Sequence, residues 1–206
     1  LHALCYDIYM KIIIFIFISY LIGSFTTADA LTACFKLSNP RNHGSKSPGA
    51  TNMMRLYGAK IGLLTVLGDG FKSFITLMIA TTYLNLTPLW ASVVGFFCLL
   101  GHCYPIGRFT HGGKGIATGF GALAALHGPI ALTAFMLFIF VTAIWRYVSL
   151  ASLCVALTCP FLALWLAPQL AIGFFLMSAV IIWRHRANIQ RLVEGAEHRI
   201  TLKVSS

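Results

Sequence analysis

The chain has 206 residues, of which 58% are hydrophobic and only 10% are charged, and its mean hydropathy is +0.83. This composition excludes an ordinary water-soluble globular protein and predicts a single membrane-embedded domain over residues 1–206. Lysine and arginine number 15 against five acidic residues, for a net charge of +10. Without a soluble basic domain, that excess favours orientation in a bilayer and binding of anions over a nucleic-acid partner.

Apolar windows of transmembrane length cover most of the chain, since a helix needs about 20 such residues to cross the hydrocarbon. Helices are predicted at residues 11–35, 57–82, 88–105, 115–126, 129–146, 148–167 and 169–184. The first apolar run continues past the length of a signal-peptide hydrophobic region, so we interpret it as a retained span. The sequence therefore predicts an all-α integral membrane protein with about seven transmembrane helices.

One of these windows is too short to cross on its own. Residues 115–126 form a window of twelve residues, which is about 18 Å of helix against a hydrocarbon core of about 30 Å. Irregular or short segments at membrane depth are tolerated where protein covers them. We therefore expect a sheltered half-helix whose N-terminus lies near the cytoplasmic face.

The connections between the predicted helices alternate in charge. Lysine and arginine occur at 36–60, 107–115, 146 and 184–203, whereas the turns at 85–88, 127–129 and 167–169 have none. Basic loops stay on the cytoplasmic side of membrane proteins. The pattern predicts seven crossings, with the N-terminus outside and the C-terminus in the cytoplasm.

The first polar segment that could carry chemistry spans residues 44–52, flanked by Arg41 and Arg55. Its glycines permit unusual backbone angles, and Thr51 or Asn52 can cap a helix that starts there. Exposed N–H groups, hydroxyls and two arginines suit a phosphate. The alternative is a polar turn whose arginines face lipid headgroups.

The second polar segment, residues 112–115, has the sequence Gly-Gly-Lys-Gly and opens the short helix. A P-loop is excluded, because Gly115 stands where Ser or Thr is required and no strand precedes the segment. Glycines that bare the backbone at a helix start, with Lys114 as a point charge, still favour an anion. The alternative is a flexible hinge whose lysine contacts headgroups.

Two further pairs of polar residues share a helix face near a predicted helix end. Ser149 and Ser152 lie near a helix start, where serines often bond only to backbone or neighbouring helices. His185 and Asn188 end the last span, where a basic segment facing headgroups needs no substrate. Both the structural and the functional interpretation stay open for these four residues.

An ionisable pair, Asp69 and Lys72, lies inside the second predicted span at a spacing of three. Residues at this spacing share a helix face and can pair. Ionisable groups within a span are costly and usually face the protein interior. We interpret the two residues as an internal structural ion pair rather than as catalytic groups.

Taken together, these segments resemble the acyl-phosphate:glycerol-3-phosphate acyltransferases of bacterial phospholipid synthesis, the family called PlsY. Members carry, in order, GSxxPGATNxxR, DxxK, GH followed by P and GGKGxAT, a paired-serine segment, and RHxxNIxR. In this chain they stand at 44–55, 69–72, 101–118, 149–152 and 184–191. The match runs from Tyr20 to Arg191 and covers most of the chain.

Four positions depart from the family pattern. Asn39 stands where many members have an acid, so a carboxylate role there is in doubt. Lys46 and Ser47 replace a commoner Gly-Asn but leave the surrounding glycines intact, and Thr26 replaces a frequent proline. We expect the loop to keep its shape.

The resemblance implies attack of the glycerol-3-phosphate 1-hydroxyl on the carbonyl of acyl phosphate, giving 1-acylglycerol-3-phosphate and inorganic phosphate. No metal or organic cofactor is implied. The expected partners are these two substrates and the lipid bilayer. We expect a monomer in the bacterial inner membrane, with seven helices and site loops that face the cytoplasm.

The resemblance also implies a polar site rich in arginine, lysine, serine and backbone N–H groups. The expected catalytic residues are Ser45, Arg55, Lys114, His185 and Asn188. The expected substrate-binding residues are Gly49, Thr51, Asn52, Gly112, Gly113, Ser149 and Ser152. His185 is the one plausible side-chain base among them, and a phosphate oxygen of the substrate could serve instead.

Other readings of the chain are weaker. Six cysteines without CxxC spacing predict neither a disulfide framework nor a metal site. His2 and Asp7 spell the HxxxxD of another acyltransferase class, but they precede the first span on the predicted outer side. A transporter for a small phosphorylated anion is the main alternative function, although the polar segments cluster at one face and no repeat is visible.

Overall fold

The computed structural model describes residues 2–107 and 112–200. Within these ranges the chain forms ten α-helices and no strand, which confirms the all-α prediction. The helices are α1 (His2–Ser24), α2 (Thr27–Cys34), α3 (Ala50–Tyr57), α4 (Ala59–Thr82), α5 (Pro88–Cys103), α6 (Ile116–Leu126), α7 (Gly128–Trp145), α8 (Val148–Leu166), α9 (Ala171–Arg184) and α10 (Arg186–Val193). Short 3-10 turns at Pro40–Asn42 and Pro168–Leu170 precede α3 and α9.

Several of these helices are suited to a bilayer. In the described part of the chain, α4, α7 and α8 are long and apolar enough to cross, and two bent pairs, α1 with α2 and α9 with α10, raise the number to five if each pair is one span. The shorter apolar helices α5 and α6 have 16 and 11 residues. The short α6 confirms the helix predicted at 115–126. Seven crossings with the N-terminus outside stay a prediction.

The first predicted helix, 11–35, is broken in the structure, so the prediction of one continuous helix there is wrong. The chain bends by 43° between α1 and α2. The cause lies at Thr26, which has an extended backbone and whose hydroxyl accepts the Asp29 N–H as the N-cap of α2. The carbonyls of the last turn of α1 are thereby left to other donors.

The polar segment before α4 also differs from expectation. Helix α3 begins at Ala50 with Gly49 as its N-cap, so the prediction that Thr51 or Asn52 caps this helix is wrong. Gly58, with φ of +88°, then separates α3 from α4. Such a backbone angle favours glycine, and it lets the polar α3 leave the direction of the long apolar helix.

Small residues let the helix backbones approach closely. A Cβ at Gly101 in α5 would overlap the carbonyl oxygen of Tyr20 in α1. A Cβ at Gly121 in α6 would likewise overlap the carbonyl oxygen of Gly70 in α4. Close backbone approach through small residues is typical of helix packing in membranes, where burial of apolar side chains adds little driving force. Helix α6 is in this way sheltered against α4.

Polarity is inverted relative to a soluble protein. The predicted ion pair is confirmed inside the bundle, where Lys72 Nζ lies 3.3 Å from Asp69 Oδ1 and both side chains are buried. Large apolar side chains such as Phe71 and Phe161 are more than half exposed on the outside. A lipid environment is the solvent that suits this arrangement.

Candidate active site

The glycine loop, residues 112–115, is held on two sides ahead of α6. Gly113 donates its N–H to the carbonyl of His102 at 3.1 Å. Arg184, at the end of α9, donates to the carbonyls of Gly112 at 2.7 Å and Gly113 at 3.1 Å. Gly115 has a φ of +85° and is the N-cap of α6. Gly112 and Gly113, two of the expected substrate-binding residues, are therefore buried and held by hydrogen bonds to their backbone.

The loop presents Lys114 to the first turn of α10. Its Nζ donates to Oδ1 of Asn188 at 2.6 Å. Burial lowers the pKa of Lys114 to about 8, and the nearby Arg191 adds to this, while Glu197 opposes it. The structure thus joins two of the predicted catalytic residues in a partly dehydrated contact, where a charged group interacts more strongly than in water.

The centre of the polar cluster is a residue that the sequence analysis missed, Glu197. Its carboxylate accepts hydrogen bonds from Asn188 Nδ2 at 2.7 Å, Ser149 Oγ at 2.9 Å and Arg191 Nε at 2.7 Å. Although partial burial acts to raise it, these donors lower the pKa of Glu197 below its ordinary value. The signal in the sequence was that Glu197 is one of two acidic residues, with Glu194, in an otherwise basic tail.

His185 lies at the 58° bend between α9 and α10, three residues before Asn188. The ring is 2% exposed, and Nδ1 donates to the carbonyl of Ile181 at 2.8 Å. Because that bond places the ring proton on Nδ1, the other nitrogen, Nε2, is an acceptor. The geometry therefore leaves His185 able to take a proton.

The 44–52 loop is organised by Asn52, which is 1% exposed. Its Oδ1 accepts the N–H of Ser45 at 3.0 Å, and its Nδ2 donates to the carbonyls of Pro40, His43 and Ser47 at 2.9–3.2 Å. Asn52 therefore shapes the loop from within instead of reaching into the open. Ser45 itself is exposed.

The tail, residues 195–200, connects this loop region to the cluster. Arg55 on α3 donates to the carbonyl of His198 at 3.4 Å. Further along, the N–H of Ile200 bonds to the carbonyl of Arg146 at 2.8 Å, and Arg199 contacts Tyr147. Arg55 is thus joined to the tail that carries Glu197, and its positive charge adds to the lowering of the Lys114 pKa.

Two predicted site residues lie away from these contacts. Ser152 is buried and donates to the carbonyl of Val148 within its own helix at 2.8 Å, the structural behaviour of a membrane serine. Thr51 lies half-buried on the first turn of α3, after the N-cap Gly49. Of the paired serines, Ser149 is the one that reaches the polar cluster.

An apolar groove lies in the bundle between α6, α8 and α9. It is narrow, and part of its space is open to the outside. It is lined by Ile116, Gly119, Leu123, Ala156, Phe174 and Met177, among others. Ile116 follows Lys114 by two residues, so one end of the groove adjoins the glycine loop.

Anion binding by Lys114, as predicted from the sequence, would depend on pH through the pKa of that lysine. Below pH 8 the ammonium form prevails, and as the pH rises through about 8 the charge is lost. For a phosphomonoester substrate, already dianionic above pH 7, kcat/KM should therefore fall on the alkaline side, since this ratio reports the free enzyme. Lys114→Arg keeps its charge in this range and should flatten the alkaline fall, even if its overall rate is lower. An unchanged alkaline fall in that variant would assign it to another group.

The sequence of the chain is similar to that of known glycerol-3-phosphate acyltransferases. The family model for glycerol-3-phosphate acyltransferase matches residues 13–195. A glycerol-3-phosphate acyltransferase of Methylococcus capsulatus is 40% identical over 187 residues, covering 90% of this chain and 94% of the relative. One of Paraburkholderia phymatum is 37% identical over 196 residues and covers 93% of each chain.

The fold agrees with solved structures as well. A crystal structure of PlsY (YgiH), an integral membrane glycerol 3-phosphate acyltransferase in its glycerol 3-phosphate form, matches with a TM-score of 0.87 at 33% identity, over 93% of this chain and 96% of that one. Its lysophosphatidic acid form matches with a TM-score of 0.85 at 32% identity, over the same shares. The resemblance in the motifs is thereby confirmed. In sequence over most of its length and in its helical fold, the chain belongs to the glycerol-3-phosphate acyltransferase family of integral membrane proteins, the PlsY family.

Proposed function

We propose that the protein transfers an acyl chain from acyl phosphate to the 1-hydroxyl of glycerol-3-phosphate, an early step of phospholipid synthesis. The observation that carries this proposal is a half-buried cation close to an apolar groove: Lys114 lies two residues before Ile116, which lines the groove. A phosphate and an acyl chain can be bound side by side only where such features meet. The solved PlsY structures, obtained with glycerol 3-phosphate and with lysophosphatidic acid, support the same substrate class.

The reaction requires the protein mainly to position the two substrates and to stabilise negative charge. The hydroxyl oxygen attacks the acyl carbonyl carbon, the bond from that carbon to the phosphate oxygen breaks, and inorganic phosphate leaves with the electron pair. The hydroxyl proton passes to Nε2 of His185 or to a phosphate oxygen. Because the donor is a mixed anhydride with a good leaving group, orientation and stabilisation of negative charge supply most of the acceleration.

The site residues divide into two groups in this proposal. Lys114, with Gly112 and Gly113 behind it, binds a phosphate, and Asn188 orients the lysine. Ser45 and Arg55, at the exposed end, bind the other phosphate or its leaving form. Gly49, Thr51 and Asn52 shape the loop that carries Ser45, Ser149 completes the wall on α8, and Ser152 supports that helix from within. No metal or organic cofactor takes part in this scheme.

We assign the acyl chain to the apolar groove. At Gly119, a Cβ would meet only ordinary contacts with Ile181 and Leu99, so alanine fits, whereas the larger leucine at this position would fill the groove. We expect Gly119→Leu to lower kcat/KM at least tenfold with a long-chain acyl phosphate and less than threefold with butyryl phosphate, since each buried methylene contributes about 0.8 kcal/mol. Gly119→Ala is the control, and equal losses for both donors would exclude the groove as the chain's position.

Orientation follows from the basic loops, which we place in the cytoplasm with the N-terminus outside the inner membrane and the protein working as a monomer. Single cysteines in a cysteine-free background test this arrangement. We expect probes at Asn85 and Gln169 to react with an impermeant reagent from outside, and a probe at Ser47 only after the membrane is opened. Labelling of Ser47 from outside would reverse the topology.

The activity is tested with purified protein in detergent. Acyl phosphate and glycerol-3-phosphate should together release inorganic phosphate and form 1-acylglycerol-3-phosphate without a second protein. Acyl-CoA or acyl carrier protein should not replace the donor. Turnover with acyl-CoA alone would overturn the donor, and uptake of glycerol-3-phosphate into liposomes without any acylation would favour the transporter alternative.

A further inference from the structure

The ion pair of Asp69 and Lys72 does more than neutralise two buried charges. Lys72 Nζ donates to two carbonyls freed at the break between α1 and α2, that of Gly23 at 2.9 Å and that of Phe25 at 2.6 Å. Asp69 Oδ1 accepts from the N–H and the hydroxyl of Thr27 at 3.1 and 2.9 Å. The pair therefore connects α4 to both sides of the bend in the first predicted span.

Lys72 has one more contact, which structural neutralisation does not require. Its Nζ lies 3.1 Å from Nδ1 of His102 in α5, and the His102 side chain is buried. An ammonium group can only donate, so Nδ1 must accept and the ring proton lies on Nε2. Lys72 thereby fixes both the tautomer and the orientation of the His102 ring.

The opposite edge of that ring lies against the glycine loop. A Cβ at Gly113 would overlap Nε2 of His102, and the carbonyl of His102 accepts the Gly113 N–H at 3.1 Å. His102 thus constrains the position of the glycine loop through both its ring and its backbone carbonyl. Arg184 holds the other side of the loop through the carbonyls of Gly112 and Gly113.

We propose that His102 is a positioning residue for the acyltransferase reaction: held by Lys72 and Asp69, its ring fixes Gly113 and so places the Lys114 ammonium in the anion site. The inference rests on the proposed function in that the anion is the phosphate of glycerol-3-phosphate. His102 does not touch the reacting atoms. Its loss should therefore weaken ground-state binding of the phosphate more than the chemical step.

The test is a steady-state comparison of wild type, His102→Asn, Gly113→Ala and the double variant, with isothermal calorimetry of glycerol-3-phosphate on the same preparations. We expect His102→Asn and Gly113→Ala each to raise KM and Kd for glycerol-3-phosphate at least tenfold, with kcat within threefold. In the double variant the overlap between ring and Cβ is gone, so its loss should be no larger than that of the worse single variant. Multiplicative losses would contradict direct contact as the cause.

Cys98→Ala is the matched control, since it lies one turn earlier in α5 and is also buried; its KM should stay within twofold. Where His102→Asn fails to fold, Asp69→Asn/Lys72→Met removes the support of the ring without leaving a buried charge unpaired and should raise KM in the same way. A folded variant of either kind with unchanged glycerol-3-phosphate binding overturns the positioning role and leaves the proposed function intact. If the variants bind glycerol-3-phosphate more weakly but the wild type does not use acyl phosphate, the assignment of acyl phosphate as the donor is wrong and the positioning role stands.

Discussion

Lys114→Ala should lower kcat/KM for glycerol-3-phosphate by at least ten- to a hundredfold. A charge-assisted contact to a phosphate in a partly dehydrated site contributes about 1.5–3 kcal/mol, and each 1.36 kcal/mol corresponds to about a factor of ten in rate. The structure adds a second cost, because the Oδ1 of Asn188 loses the donor that lies 2.6 Å away. Steady-state kinetics with purified protein measure the change, and a loss mainly in kcat would mean that the contact strengthens in the transition state.

Lys60→Ala is the control for this substitution, since Lys60 is exposed near the start of α4. A lysine that merely contacts headgroups is replaceable, so its removal should change kcat/KM by less than twofold. If Lys114→Ala inserts, folds and also stays within twofold of wild type, the anion site does not lie at the glycine loop.

Glu197→Ala should lower turnover by about a hundredfold or more, although Glu197 is not expected to contact substrate. The Glu197 side chain is 7% exposed and holds Asn188, Ser149 and Arg191 at once. Its removal leaves three donors without their acceptor, which costs more than the loss of a single exposed ion pair. Without Glu197, Asn188 is no longer held in the orientation in which it accepts from Lys114. We therefore expect kcat to fall and KM for glycerol-3-phosphate to rise.

The isosteric Glu197→Gln keeps an acceptor oxygen but not the charge, and an intermediate loss of about tenfold is expected for it, a difference of about 1.4 kcal/mol. Glu194→Ala removes an exposed carboxylate from the same region, one that accepts a hydrogen bond from Gln190 Nε2 at 2.9 Å, and this variant should stay near wild type. Equal activities of the Glu194 and Glu197 variants would show that the tail carboxylate has no part in the site.

Hydropathy and charge predicted the parts of this protein that depend on the solvent. The length of an apolar run is set by the bilayer, so the short α6 could be recognised from residues 115–126 alone. The glycine loop could be recognised as the start of a helix because Gly112, Gly113 and Gly115 directly precede the apolar run of α6, whereas anion binding by Lys114 stays a prediction. The ion pair of Asp69 and Lys72 followed from the cost of burying either charge alone.

What the sequence did not reveal depends on tertiary contacts. The bend at Thr26 needs a hydroxyl that caps α2 and a distant lysine that donates to the freed carbonyls, and neither can be read from an apolar window. Asparagine is a residue type that often caps helices, yet the side-chain amide of Asn52 forms hydrogen bonds to the backbone of the loop before it. Glu197 could not be placed because its partners come from α8 and α10, which only the folded chain brings to the tail.

The position of Glu197 has a genetic consequence. All ten helices end before it, at or ahead of Val193, so a ribosome that stops at a premature codon in positions 194–196 has already made every helix of the described chain. Such an allele would yield a polypeptide that inserts into the bilayer and accumulates there, yet lacks the carboxylate that joins α8 and α10. In a complementation assay it should behave as a null, although immunoblots of the membrane fraction would find the protein at its normal abundance.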